Sequence, residues 1–280
     1  MTGFRTFHDF IGLQSFVKHR VHTPTLGLVP TMGALHVGHI ALIERALEEN
    51  DIVVVTIFVN PKQFNNPNDL KNYPRVPEKD LALLKVYDRV VVCMPNVDAV
   101  YPIDDPYKKV ELGLLDQVLE GEFRPGHFDG VAHVVHNLMY FTGPTKAYFG
   151  LKDVQQLSVI NHMVTNSSLP VEVVACETVR DKHGLALSSR NLLLNETQHY
   201  EALIIHTTLT FVKSNIKSLG LKETLQQAKV LFNEGTLSLE YLEVVDRETF
   251  GPYKIGSTNN VCCISAFCEN VRLIDNILLG

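Results

Sequence analysis

Apolar and polar positions fall in blocks along the chain, and the period of the pattern changes from block to block. Thr25 to Val29 is an apolar run that reads as a short strand, followed by a turn of small residues. From Gly38 to Glu49, Ile40, Ile43, Ala46 and Leu47 recur at helical spacing, while Glu44, Arg45, Glu48 and Glu49 make a wet face. Asp51 to Val59 is almost continuously β-branched, as in a strand buried on both faces. Together these stretches predict a βαβ unit. Before it, Phe7 to Arg20 reads as a peripheral helix capped by Thr6.

After Asn60-Pro61 the chain turns polar, and Lys62 to Asp69 reads as a long loop. Pro77 to Tyr87 predicts a helix with proline in its first turn, Arg89 to Met94 a third strand, and Asn96 to Tyr101 a short helix. Val110 to Leu115 fits either type. Gly121, Pro125, Gly126 and Gly130 make Glu120 to Gly130 a mobile loop by composition. Val131 to Phe141 and Asp153 to Thr165 read as helices, Lys146 to Phe149 and Val171 to Cys176 as strands. This alternation predicts an α/β fold: a Rossmann-like, doubly wound parallel sheet with helices on both faces.

Past Asn191 the order changes to helices first and strands afterwards. Glu196 to Ile216 and Leu221 to Glu234 read as helices; Glu240 to Val245, Val261 to Phe267 and Val271 to Ile274 read as strands. The expected division is a nucleotide- and substrate-binding domain over 1–180 and a smaller α+β lid domain over 181–280.

Composition narrows the class. With 45% hydrophobic and 20% charged residues over 280 positions, the chain can bury a full core. A formal charge of −6 and the lack of a Lys/Arg stripe argue against a nucleic-acid partner. The longest apolar run, Ile52 to Val59, is too short to span a bilayer. Met1 to Phe10 has no apolar core, so no signal peptide is expected. Five cysteines without framework spacing fit reduced thiols in a cytoplasmic enzyme, with Cys263 and Cys268 as buried strand residues.

Four stretches carry candidate chemistry. The first is the turn Leu28 to His39, where a strand feeds a helix through Gly33 and Gly38. Unpaired N–H groups at such a helix start attract anions, and His36 and His39, three apart, project to one side. The alternative is a plain helix start with incidental histidines. The second is Asn60-Pro61-Lys62-Gln63-Phe64, beyond the second strand of the βαβ unit, where Gln63 can read hydroxyl and carboxylate groups; an ordinary polar loop is the alternative. The third is Phe149 to Gln156: Lys152 suits a phosphate, Asp153 a helix cap, and Gln156 shares the face of Asp153. A solvated lysine is its plain reading. The fourth is Leu187-Ser188-Ser189-Arg190-Asn191, either a compact phosphate clamp or a capping run at the domain junction. Arg124, His127 and Asp129 are weaker candidates, His133 and His136 read as helix-face residues, and Asp104-Asp105 as a solvated turn.

Taken together the four stretches resemble the pantothenate synthetase (pantoate–β-alanine ligase) family over nearly the whole chain. The resemblance rests on Pro30 to His39, Phe58 to Phe64, Arg124 to Val131, Lys152 to Gln156, Ser188 to Asn191, Glu240 to Asp246 and Arg272 to Asn276. The His-x-Gly-His element alone marks only a wider nucleotidyl-transfer superfamily.

The resemblance implies a ligase of pantothenate biosynthesis, in which pantoate and Mg-ATP give pantoyl adenylate and pyrophosphate. β-Alanine then displaces AMP to form pantothenate. It places Met32, Gly33, Ala34, Leu35, His36, Val37, Gly38 and His39 along ATP, with His36, His39 and Lys152 as catalytic groups. Gly150, Leu151, Lys152, Asp153, Val179, Leu187, Ser188, Ser189 and Arg190 would complete the nucleotide contacts. Gln63 and Gln156 would hold pantoate, joined by Asn60 and Pro30, with Val134 and Val135 on its methyl groups. The family also implies a homodimer, and Mg²⁺ without identified protein ligands. Leu151 and Leu187 depart from the pattern, which has an acid and a methionine there. The rival readings are another nucleotidyltransferase of the superfamily and a nucleotide-binding regulatory module.

Overall fold

The structure, a computed structural model, describes residues 4–19 and 25–280. Two compact units make up the chain. One runs up to Gly150 and adds Val159–Cys176; the other comprises Leu151–Ser158 and Glu177–Gly280. The exchange of Leu151–Ser158 replaces a single cut at 180.

In chain order the first part of the structure is β1 (Arg5–Phe7), α1 (Phe10–Lys18), β2 (Leu26–Thr31), α2 (Val37–Glu49), β3 (Ile52–Ile57), α3 (Pro67–Asn72) and α4 (Pro77–Leu84). There follow β4 (Val90–Cys93), α5 (Val97–Val100), α6 (Glu120–Phe123), α7 (His127–Thr142), β5 (Lys146–Gly150), α8 (Val154–Ser167) and β6 (Glu172–Cys176). Single 3₁₀ turns lie at Pro61–Gln63, Gly113–Asp116 and Leu151–Asp153.

The strands form a six-stranded sheet in the order β1-β4-β3-β2-β5-β6, with every pairing parallel. From β2 the chain winds outward through β3 and β4, then crosses back to add β5 and β6 on the other side of β2. The winding therefore reverses between β2 and β5, where a doubly wound sheet opens a crevice at the carboxyl ends of its strands. Val53, Val54 and Val55 in β3 are completely buried. Such side chains each contribute roughly 1.5–3 kcal/mol on burial, which anchors the sheet under that crevice.

Several elements differ from their sequence readings. Thr6 lies in β1, paired with Val92, and does not cap a helix. The cap of α1 is Asp9, whose carboxylate accepts the Gly12 N–H at 2.7 Å. Arg20, read as the helix end, lies outside the described residues. The polar stretch after Asn60 is not one long loop: it holds the Pro61–Gln63 turn and α3, each entered through an asparagine cap and a proline. Glu120 to Gly130 is corrected from a loop to α6 plus the first turn of α7, with Glu120, Gly121, His127 and Phe128 buried.

The second unit contains a 3₁₀ turn at Ser189–Leu193, then α9 (Glu196–Glu201), α10 (Leu203–Leu219), α11 (Leu221–Phe232), β7 (Ser238–Asp246), β8 (Asn260–Cys268) and β9 (Val271–Leu278). The helix expected over Glu196 to Ile216 is interrupted at Ala202. The strands form an antiparallel sheet β7-β8-β9. Along β7, Leu242 and Val244 are buried in the core formed with the helices and Glu243 is exposed. The central strand β8 is instead buried on both faces, with Val261, Cys263 and Ser265 on one and Cys262, Ile264 and Ala266 on the other. Leu209, Val212, Phe232 and Ile264 lie at the centre of that core. All five cysteines are free thiols, and Cys263 and Cys268 are buried in β8. Among the described residues no helix is long and apolar enough to cross a membrane.

Candidate active site

The turn between β2 and α2 is built by three devices. Gly33 has φ +81°, and a Cβ there would stand 3.0 Å from Asp80 and 3.1 Å from Ile57, so only glycine fits. Ala34 also takes a positive φ of 50°. Asp80, buried in α4, holds this geometry by accepting the Ala34 N–H at 2.9 Å and the Leu35 N–H at 2.7 Å.

At the start of α2 the two histidines form a reciprocal capping box. His36 Nδ1 accepts the Gly38 N–H at 3.1 Å, and His39 Nδ1 accepts the His36 N–H at 3.3 Å. The rings stand 4.1 Å apart between centroids. Because each Nδ1 accepts from a backbone N–H, each neutral imidazole carries its proton on Nε2. The cap thus fixes the tautomer as well as the helix start. Both rings are half-buried, whereas the Val37 side chain is exposed.

Beyond β3, the Pro61–Gln63 turn packs on α7. Gly130 permits this contact, since a Cβ on it would come within 2.3 Å of the Lys62 carbonyl oxygen. Gln63 is buried, with Nε2 3.2 Å from Met32 Sδ and Oε1 accepting from Asn60 Nδ2 at 3.0 Å. The remaining capacity of Asn60 is also used. Nδ2 donates to Gly130 O at 3.1 Å, while Oδ1 accepts the Lys62 N–H at 3.1 Å and the Tyr101 hydroxyl at 2.6 Å. With two donors and two acceptor positions occupied, Asn60 acts as a support within the fold. His127 Nδ1 donates to Gln63 O at 2.7 Å, and Arg124 lies 3.2 Å from His127 Nε2. Val134 and Val135 are buried on α7.

Asp105 is corrected from a solvated turn to the centre of a polar cluster. It accepts from His133 Nε2 at 2.6 Å, Asn137 Nδ2 at 2.9 Å and the Tyr107 N–H at 2.9 Å. Burial pushes its carboxyl up, but these hydrogen bonds outweigh that and hold it below the usual range. Burial pushes the His133 imidazole down, against the opposing pull of Asp105. Burial and Asp105 together raise the Tyr101 hydroxyl well above the ordinary tyrosine value. Lys62 Nζ sits 3.7 Å from the centre of the Tyr101 ring, a cation–π contact.

In the second unit, Asn276 of β9 secures the Leu151–Asp153 turn. Its Nδ2 donates to Leu151 O and Lys152 O, both at 2.8 Å. Lys152 Nζ lies 3.4 Å from Asp153, and the Leu151 side chain is buried where an acid was expected. Leu187 N donates to Val179 O at 2.9 Å, closing a turn in which Asp181 accepts the His183 and Leu185 N–H groups. Arg180 reinforces it with a two-pronged contact to Asp275 at 2.5 and 2.9 Å. Ser188 then caps the Ser189–Leu193 turn by accepting the Arg190 N–H at 3.0 Å. Gln156 and Leu187 are half-buried.

The first unit therefore gathers Pro30 to His39, Asn60, Gln63, Val134 and Val135 on elements that meet beyond the carboxyl ends of β2 and β3. The second gathers Leu151–Asp153 with Asn276, and Val179 with Leu187 to Arg190. Sequence reasoning missed Asp80 and Tyr101, which make their contacts with residues 45 or 46 and 41 positions away. No local motif surrounds either one. Among the described residues no cluster of three or more His, Cys, Asp or Glu side chains can hold a metal ion.

A doubly wound parallel sheet whose central strand runs through a glycine-containing turn into the next helix, with two histidines at that helix start, defines an α/β protein of the kind that binds its ligand at the switch point of the sheet. A family model described as pantoate-beta-alanine ligase matches residues 5–278. The pantothenate synthetase of Cytophaga hutchinsonii is 42% identical over 267 residues, covering 94% of this chain and 93% of that protein. That of Aliarcobacter butzleri is 45% identical over 254 residues, covering 91% and 93%. The crystal structure of pantothenate synthetase from Thermus thermophilus matches with a TM-score of 0.90 at 38% identity, covering 98% of this chain and 99% of that one. A Francisella tularensis pantoate-beta-alanine ligase, solved in complex with beta-gamma ATP and beta-alanine, matches at 0.81 and 34%, covering 99% and 98%. The chain belongs to the pantoate–β-alanine ligase family and is a ligase.

Proposed function

We propose that this chain condenses pantoate with β-alanine to give pantothenate, in an ATP-dependent, AMP-forming reaction through pantoyl adenylate. The observation that carries this reading is the pair of imidazoles at the start of α2, each accepting a backbone N–H at Nδ1 and so carrying its proton on Nε2, in the same unit as the buried Gln63 amide. The backbone N–H groups of Gly33 to His36 and of Gly38 and His39 are already bonded within the protein, so the side chains supply the donors. In the first step a pantoate carboxylate oxygen attacks the α-phosphorus of ATP. The new P–O bond forms as the bond to the bridging oxygen breaks, and pyrophosphate leaves with the electron pair. His36 and His39 donate from Nε2 to the departing phosphates, and Lys152 and Arg190 add positive charge. In the second step the β-alanine nitrogen attacks the acyl carbon, AMP departs and a proton is released.

ATP takes its contacts from Met32 to His39, Gly150 to Asp153, Val179 and Leu187 to Arg190. Pantoate is held by the Gln63 and Gln156 amides beside Pro30, with Val134 and Val135 against its methyl groups. Magnesium enters as part of the Mg-ATP substrate. That ion retains waters and binds largely through phosphates, so it does not require a cage of side chains. A homodimer in the cytoplasm completes the proposal. The family resemblance supports the dimer, and the five free thiols fit a reducing compartment.

Pantoate-dependent exchange of labelled pyrophosphate into ATP tests the first step, and product analysis with β-alanine tests the second. Exchange, followed by stoichiometric AMP and pantothenate, is the expected result. Folded protein that binds ATP without exchange would refute the adenylate route, and a dinucleotide product would favour another nucleotidyltransferase.

A further inference from the structure

We propose that Tyr101 is a positioning residue for substrate recognition: through Asn60 it holds the Gln63 amide with its NH2 group turned toward Met32 and the ligand. The proposal rests on the reading of Gln63 as a pantoate contact.

Two partners of Asn60 can each play only one role. The Lys62 backbone N–H only donates, so the atom 3.1 Å away on Asn60 is the carbonyl oxygen Oδ1. The Gly130 carbonyl only accepts, so the atom 3.1 Å from it is Nδ2. These two contacts fix the Asn60 amide independently of each other. The Tyr101 hydroxyl completes the arrangement as a second donor to Oδ1, at 2.6 Å. Asn60 Nδ2 then has one remaining proton, which faces Gln63 at 3.0 Å. The facing atom on Gln63 must be its oxygen, and the Gln63 nitrogen is left beside Met32 Sδ at 3.2 Å.

Gln63 therefore presents donors to anything bound there. A donor face suits a carboxylate or the lone pairs of a hydroxyl, whereas a flipped amide would set a carbonyl against a carboxylate. Tyr101 touches no reacting atom. Its ring is also placed for a structural role, edge-on to Phe58 and His133 and beneath Lys62 Nζ, so the hydroxyl must be separated from the ring.

Tyr101→Phe makes that separation, and a double-mutant cycle with Gln63→Ala reads the coupling. In the parent enzyme, Tyr101→Phe is expected to raise KM for pantoate about fivefold, the scale of one lost neutral hydrogen bond, with KM for ATP unmoved. In the Gln63→Ala background the same substitution is expected to leave KM for pantoate unchanged. An equal rise in both backgrounds, or none in the parent enzyme, would overturn the positioning role while leaving Gln63 as a contact. An unchanged KM for pantoate in Gln63→Ala itself would overturn the Gln63 reading beneath it. Should Tyr101→Phe fail to fold, Asn60→Asp tests the same link. It keeps both bonds received at Oδ1 and removes the N–H groups offered to Gln63 and to Gly130 O. The second loss is common to both backgrounds, so the link requires a larger rise in KM for pantoate in the parent than in Gln63→Ala, and equal rises would overturn it.

Discussion

Asp80 and Leu35 are joined by a 2.7 Å hydrogen bond from the Leu35 N–H to a buried carboxylate oxygen, and the other oxygen takes the Ala34 N–H. One side chain on α4 thereby sets the backbone of a turn far away in sequence. Asp80→Asn keeps the volume but turns one acceptor into a donor facing an N–H. We expect a stability loss of about 1–3 kcal/mol by denaturant unfolding, the usual cost of an unsatisfied buried group. KM for ATP should rise in the same variant, because the turn it shapes is the proposed phosphate site. A destabilised variant with wild-type KM for ATP would confine Asp80 to folding.

The capping box lets the two duties of His36 be separated. Asparagine is among the best N-cap residues, so His36→Asn retains an acceptor for the start of α2 while removing the Nε2 donor. Stability is expected to stay within about 0.5 kcal/mol of wild type. Pyrophosphate exchange should fall about a hundredfold, the scale of one lost transition-state donor. Full exchange activity in His36→Asn would reduce His36 to a cap.

Gly130→Ala tests the contact between α7 and the Pro61–Gln63 turn. The added Cβ would lie 2.3 Å from a backbone oxygen, which cannot rotate away as a flexible side chain would. Separating the two elements should cost about 1–3 kcal/mol, as overpacking does, and should raise KM for pantoate by displacing Gln63. Thermal unfolding and pantoate titrations measure the two effects. A variant with wild-type values in both would show that the contact relaxes without consequence.

His133 gives a pH prediction. Its native pKa lies below 6.5 chiefly because of burial, so the unfolded chain binds the proton more readily than the folded one. Its effect on stability is absent above about pH 6.5. As the pH falls below that value the effect becomes a growing penalty, which levels off below the native pKa. His206 is shifted in the same direction, again first by burial. His133→Gln should therefore flatten part of the stability loss between about pH 7 and 5, leaving the share from His206. Denaturant unfolding at a series of pH values measures the slope. An unchanged slope would remove His133 from the pH response.

How far the sequence went is clearest at α2 and at residues 120–130. Around α2 the strand, turn and helix were legible because each is encoded locally: β-branched runs, glycines at the turn and a helical period after it. At 120–130 the same reasoning failed. Gly121, Gly126 and Gly130 suggested a loop, yet Gly130 is a helical residue that lets α7 approach the Lys62 backbone. A glycine required for close approach and one required for a bend look alike in sequence. Asp105 failed in the opposite way. Among polar neighbours it read as solvated, but His133 and Asn137, 28 and 32 positions later, enclose it.

The sequence by itself determined the alternation of strands and helices, the change of pattern after Asn191, and the chemical types present at each strand-to-helix turn. Those features depend on the periodicity and local backbone preferences of neighbouring residues. Tertiary structure alone decided that Asp80 clamps the Gly33–Leu35 turn, that Leu151–Ser158 joins the second unit, and that Tyr101 reaches Gln63 through Asn60. Hydrogen bonds between residues about 40 or more positions apart leave no period in the chain. They exist only once the sheet order has brought α4, α5 and α7 into place around β2 and β3.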